Sequence, residues 1–182
     1  MSKWLNKCLS DEMLMRAYAR GDQDAFTQLY ERHKLNLYHF VLRQTHRQSV
    51  CEELAHDAWL AVIRQAANYQ DTAKFKTWLF RIAHNRLVDY WRRQKHRSKV
   101  IVVEELAELA VSETELDEAL RLKEISAHLE KLSSEQLSTV LLKIEGFSYS
   151  EISDITATKQ ETVKSRLRYA TKYLKLSLEG AL

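Results

Sequence analysis

Proline is absent from the 182 residues, glycine occurs three times and cysteine twice. Hairpins and tight turns draw on proline and glycine, so their scarcity argues against a sheet-rich fold. Cys8 and Cys51 form no CxxC pair and are too few for a disulfide framework, which fits a reducing cytoplasm. No apolar run approaches the ~18 residues a membrane span needs. The N-terminus carries no apolar core of signal-peptide length. A cytoplasmic protein with no membrane insertion is therefore expected. A glycine-rich phosphate loop is also missing. His33, His39, His46, His56, His84, His96 and His128 are scattered, and Cys51 with His56 is too thin a set for a metal. Asp11–Glu12 and Glu52–Glu53 are adjacent pairs on helices, so the two members do not share a face. These gaps predict no catalytic residues, no metal and no cofactor.

Hydrophobic residues make up 45% of the chain, enough for real cores. The net charge of +3 says little by itself, but its distribution says more. Lys74, Lys76, Arg81, Arg86, Arg92, Arg93, Lys95, Arg97 and Lys99 stand against Asp89 alone. An acidic run follows: Glu104, Glu105, Glu108, Glu113, Glu115, Asp117 and Glu118. Basic residues then return at Lys159, Lys164, Arg166, Arg168, Lys172 and Lys175. Basic patches attract phosphate backbones through counterion release; the competing reading of each patch is a solvated helix face.

Helical periodicity runs through both ends of the chain. A short helix over 11–20, capped by Ser10, breaks at Gly21. Asp24 opens a second, with Phe26, Leu29, Tyr30, Leu37, Tyr38 and Val41 at helical spacing. A third spans about 49–67, with Leu54, Ala58, Ala61 and Val62 on one face. After a polar loop over 68–74, a fourth runs from Phe75 to about Lys95. The stretch from 96 to about 112 reads as a linker. Ser112 with Glu115 has capping-box spacing, which predicts a helix from Glu113 toward Lys131; Ser133 with Gln136, Ser148 with Glu151 and Thr158 with Glu161 share that spacing, each before an apolar periodic segment.

Two segments carry chemistry. The closing helices, 149–155 and 159 to about 175, are joined by Thr156-Ala157-Thr158, the spacing of a helix-turn-helix. With Val163 at the origin of a wheel, Leu167, Ala170 and Leu174 lie within about 40° and pack inward. Lys164, Glu161, Arg168, Lys172 and Ser165 take the opposite arc, where donors reach base edges and phosphates. An ordinary αα-hairpin would share this spacing. The segment 75–93 interleaves aromatics with cations, so that flat rings stack unpaired bases and cations hold the backbone. Burial of Trp78, Phe80 and Trp91 in a core is the alternative.

Four segments resemble the extracytoplasmic-function sigma factors, the minimal sigma-70 family. They are Asp24-Ala25-Phe26 with Leu29-Tyr30; Cys51-Glu52-Glu53-Leu54-Ala55-His56-Asp57-Ala58-Trp59; Phe75 through Asn85 with Asp89 and Arg92-Arg93; and Glu145-Gly146-Phe147-Ser148-Tyr149-Ser150-Glu151-Ile152 with Thr162-Val163-Lys164-Ser165-Arg166-Leu167. Their order and spacing cover most of the chain. The resemblance implies an all-α protein of two small helical domains. Sigma region 2 would occupy 1–95, a linker 96–125, and sigma region 4, with its helix-turn-helix, 126–182. It further implies a non-enzymatic factor that binds core RNA polymerase, reads the −35 and −10 promoter elements and melts the −10 region. Implied contacts to the −10 element are Tyr69, Gln70, Asp71, Thr72, Lys74, Phe75, Lys76, Trp78, Arg81, Asn85, Arg92 and Arg93. Those to the −35 element are Lys159, Gln160, Thr162, Lys164, Ser165 and Arg168. Leu54, His56, Asp57 and Trp59 would bind the polymerase β′ coiled coil, the β flap would be a further partner, and an anti-sigma factor would regulate the protein.

The chain also departs from the family. The helix-turn-helix turn lacks the usual glycine, so it is either wider or places Ala157 in a less common backbone conformation. His56 stands where glutamine is usual, and Arg168-Tyr169-Ala170-Thr171 replaces a more basic run. A stand-alone helix-turn-helix regulator is the alternative function.

Overall fold

The computed structural model describes residues 9–70, 73–95, 127–129 and 131–179. Among the described residues every regular element is helical, and the chain divides into two compact units. The expected tether over 96–125 and the Ser112–Glu115 pair lie outside the described residues, as do Asp71 and Thr72.

The N-terminal unit holds α1 (Asp11–Ala19), α2 (Gln23–Thr45), α3 (Gln48–Gln65), a 3-10 turn (Ala66–Asn68) and α4 (Phe75–Lys95). Ser10 caps α1 by accepting from the Met13 N–H. Helix α1 stops at Gly21, whose φ of 102° lets the Asp22 N–H turn back to the Ala17 carbonyl. The sequence placed the start of α2 at Asp24. The cap is instead Asp22, whose carboxylate accepts from the Asp24 and Ala25 amides, and the helix begins at Gln23. The third helix is also shorter than expected. It tightens into the 3-10 turn after Gln65, where the Tyr69 N–H bonds the Ala66 carbonyl. Helix α2 packs against α1, α3 and α4, and α1 also lies on the 3-10 turn.

The core of this unit is built from Leu14, Met15, Leu29, Leu37, Phe40, Val41, Val62, Phe75, Leu79, Phe80 and Leu87, all but excluded from solvent. Four of them on α4, with Ala83, occupy the stripe 75/79/80/83/87, the i, i+4 pattern of a core-facing helix. Burial of these side chains, at about 1.5–3 kcal/mol each, dominates the stability of the unit.

The remaining helices are α5 (Ser134–Ile144), α6 (Tyr149–Thr156) and α7 (Gln160–Glu179), of which the second unit holds α5, α7 and the first part of α6. Two capping boxes are present as the sequence predicts: Ser133 with Gln136 and Ser148 with Glu151. Helix α5 ends as α1 does, on a positive-φ glycine: Gly146 sits at 89°, and the Phe147 N–H reaches the Leu142 carbonyl. Leu137, Leu141 and Leu142 from α5, Ile152 and Ile155 from α6, and Val163 and Ala170 from α7 are buried.

Candidate nucleic-acid interface

The junction of α6 and α7 sets the start of α7. Ala157 takes the left-handed conformation, φ 50° and ψ 41°, so of the two possibilities left by the missing glycine it is the backbone that adapts. Ser153 holds it there. Its carbonyl accepts from the Ala157 and Thr158 amides, and its hydroxyl donates to the Thr158 carbonyl. Helix α7 then buries Val163 and Ala170 and half-buries Leu167 and Leu174, the inward arc expected from the wheel. Lys159, Gln160, Thr162, Lys164 and Arg168 are exposed and Ser165 is half-buried. Lys164 Nζ lies 2.8 Å from Glu161 Oε1, and this hydrogen bond raises the lysine's pKa. The face is thus polar and cationic, with one acidic residue pairing locally.

On α4 the candidate residues separate. At ~100° per residue, Trp78, Arg81, Asn85 and Arg92 fall within about 60° of one another. Arg81, Asn85 and Arg92 are exposed and Trp78 is half-buried. Arg93 is exposed just beside this stripe. Arg92 Nη2 is 2.9 Å from Asp89 Oδ1 in an exposed pair, which contributes little to stability. Lys76 lies across the helix, its ammonium 5.7 Å from the centre of the Phe80 ring. Phe75 is the clear correction. Its side chain is 0% exposed, because position 75 opens the core-facing stripe, and it cannot touch a nucleic acid from there. It serves instead as a floor. The Tyr69 ring lies 6.4 Å and the Trp78 ring 6.0 Å from it, and Tyr69 and Trp78 are 5.1 Å apart. Gln70 and Lys74 are exposed beside this aromatic group.

The four residues assigned to protein binding also separate. Leu54 is 8% exposed and faces the core, and Asp57 is half-buried. His56 and Trp59, the latter itself only 6% exposed, line an open groove between α2 and α3, together with Tyr30, Lys34, Tyr38, Glu52, Glu53 and Ala55. Trp59 is held edge-on to Phe26 at 5.9 Å and against Tyr30 at 5.0 Å. Tyr30, Lys34 and Tyr38 were not anticipated as groove residues; their i, i+4, i+8 spacing on α2 is the signal that could have found them.

Comparison with known proteins bears on what these faces are. The family model described as Sigma-70 region 2 matches residues 29–97, and the one described as Sigma-70, region 4 matches residues 122–174. A relative from Mycobacterium sp. (strain KMS), the ECF RNA polymerase sigma factor SigK, is 31% identical over 172 residues, covering 90% of this chain and 88% of its own. The chain belongs to the extracytoplasmic-function sigma factors of the sigma-70 family. Two solved structures share the fold of this sigma factor. CnrH, in complex with the cytosolic domain of CnrY, matches with a TM-score of 0.71 at 22% identity, over 93% of this chain and 97% of that one. RpoE from Bartonella quintana, in complex with the anti-sigma factor NepR, matches with 0.69 at 24%, over 85% and 96%. Among the described residues, no helix is long and apolar enough to cross a membrane.

Proposed function

We propose that this sigma factor binds core RNA polymerase and directs it to promoter DNA, reading a −35 element with α7 and opening a −10 element with α4 and the segment before it. The observation that carries this reading is the match of each end of the chain to a sigma region, together with a polar, cationic helix face on α4 and another on α7. We assign sigma region 2 to 1–95, the linker to 96–125 and sigma region 4 to 126–182.

In the N-terminal unit, Arg81, Asn85, Arg92 and Arg93 hold the strand, and Trp78 with Tyr69 offers ring faces to unpaired bases. Gln70, Asp71, Thr72 and Lys74 are the candidates for capturing a flipped base. Flipping costs a few kcal/mol, returned only when the base fits. Opening therefore needs no nucleotide hydrolysis, because the factor binds the melted state better than the duplex. In the C-terminal unit, Lys164, Ser165 and Arg168 face the major groove, with Lys159, Gln160 and Thr162 at the helix start near the phosphates. The groove at His56 and Trp59 receives the β′ coiled coil, and the second unit meets the β flap. The protein acts by binding and is not itself an enzyme; it works in the cytoplasm with the polymerase. An anti-sigma partner is supported by the Bartonella quintana relative, which is described with one.

The test is a mobility-shift series on a candidate promoter with and without core polymerase. Free protein is expected to bind duplex DNA weakly and with steep salt dependence, and to become sequence-selective only with core. Tight, selective binding by the free protein would instead indicate a stand-alone helix-turn-helix regulator.

A further inference from the structure

Asp11 and Glu12 have no place in the interface described so far, and as neighbours on a helix they do not share a face. The structure shows both reaching Phe75 by different routes. Glu12 Oε1 accepts from the Phe75 backbone N–H at 3.0 Å, across 63 residues of sequence. That amide belongs to the first turn of α4, where no intrahelical partner exists, so a side chain from α1 caps α4. Asp11 Oδ2 lies 2.7 Å from His33 Nε2, and its other oxygen accepts from Arg32 Nη1 at 2.8 Å, which also donates to the Leu9 carbonyl at 2.9 Å. The His33 ring, 8% exposed, stands 5.6 Å from the Phe75 ring. One carboxylate thus fixes the Phe75 backbone and the other steadies the ring packed on its side chain. Tyr69 and Trp78 both rest on Phe75, and α1 packs on the 3-10 turn that leads into Tyr69.

We infer that Asp11 and Glu12 are positioning residues for promoter opening: from outside the DNA-contacting surface, they set the aromatic floor on which Tyr69 and Trp78 present themselves to the unpaired strand. This rests on the proposed sigma function and assigns α1 a part in −10 discrimination. Side-chain placement matters here because a capture site gains selectivity only if its rings are held before the base arrives.

The experiment uses the full chain with core polymerase on a cognate duplex promoter, on the same promoter pre-melted across the −10 element, and on duplexes with single −10 substitutions. Glu12→Ala should slow opening of the cognate duplex about fivefold, the effect of one lost helix cap, and shrink its preference over substituted duplexes by a similar factor. Initiation on the pre-melted template should change less than about twofold, since the opening step is bypassed. Glu12→Gln, which keeps an acceptor oxygen, should restore discrimination to within about twofold of the parent. Asp11→Asn gives a second arm of smaller effect in the same direction, and thermal melts show that each variant is folded at the assay temperature. Parental discrimination in both Glu12→Ala and Asp11→Asn would overturn the inference, as would a Glu12→Gln defect equal to that of Glu12→Ala, or equal defects on both templates. A parent protein that selects no promoter with core would instead strike the underlying sigma reading.

Discussion

Replacing Phe75 with alanine separates a floor from a contact. The ring is 0% exposed and has aromatic neighbours in His33, Tyr69 and Trp78 at 5.6, 6.4 and 6.0 Å. Truncating a buried phenylalanine to alanine costs about 3–5 kcal/mol, from lost burial and the cavity left behind. Lost ring pairs contribute to that figure at about 0.5–1.5 kcal/mol each. Against a domain stability of roughly 5–15 kcal/mol this is a large fraction. At about 4–8 °C per kcal/mol for a unit of this size, the N-terminal unit should melt at least roughly 12 °C lower. Far-UV circular dichroism of parent and variant measures the shift. A ring that worked by stacking on DNA would show the reverse: an unchanged melt with about 1–3 kcal/mol lost from single-strand binding. That outcome would refute the placement of Phe75 in the core.

Three further outcomes follow from the geometry. Ala157 sits in the left-handed region, which costs an L-residue roughly 1–2 kcal/mol; glycine removes that cost but adds about 0.5–1 kcal/mol of chain entropy. Ala157→Gly should therefore raise the denaturation midpoint of the second unit slightly, and a lower midpoint would contradict the strain. Burial, with a smaller effect of the Glu52 charge, pushes the Cys51 thiol up to about 12, and its Sγ donates to the Tyr38 carbonyl at 3.3 Å. In a Cys8→Ser background, alkylation near neutral pH should wait for unfolding, because the thiolate is the reactive form; prompt labelling of the folded protein would disprove it. The hydrogen bond to His33 lowers the pKa of Asp11 from its ordinary 3.8, partial burial opposes this, and Arg32 adds to the lowering. A depressed folded pKa means the stabilisation is complete above the unfolded value and is lost as pH falls through the folded one. Asp11→Asn should thus lose less stability than the parent on acidification below about pH 4, and identical acid profiles would remove Asp11 from the account.

Local signals were legible in the sequence, and long-range ones were not. Ser133 with Gln136 and Ser148 with Glu151 cap helices as their spacing says, because a capping box is closed within four residues. The bounds of α4 and the inward arc of α7 also follow from periodicity. The start of α2 is ambiguous in the sequence because Asp22 and Asp24 both suit a cap, and only the turn at Gly21 decides between them. Resemblance places Phe75 on the DNA because it transfers a position without its burial; the stripe that Phe75 forms with Leu79, Ala83 and Leu87 is the clue. The same limit applies to Leu54, which faces the core while its neighbour His56 lines the groove. The bond from Glu12 to Phe75 spans 63 residues and leaves no trace in any local pattern.

The most direct measurement is run-off transcription with purified core polymerase on a library of genomic fragments from the source organism, mapped at the 5′ ends of the transcripts. The account predicts discrete start sites that appear only when the protein is added and share two motifs at a fixed separation, one for each helical unit. Transcripts that start at random, or at the same positions with and without the protein, would contradict it.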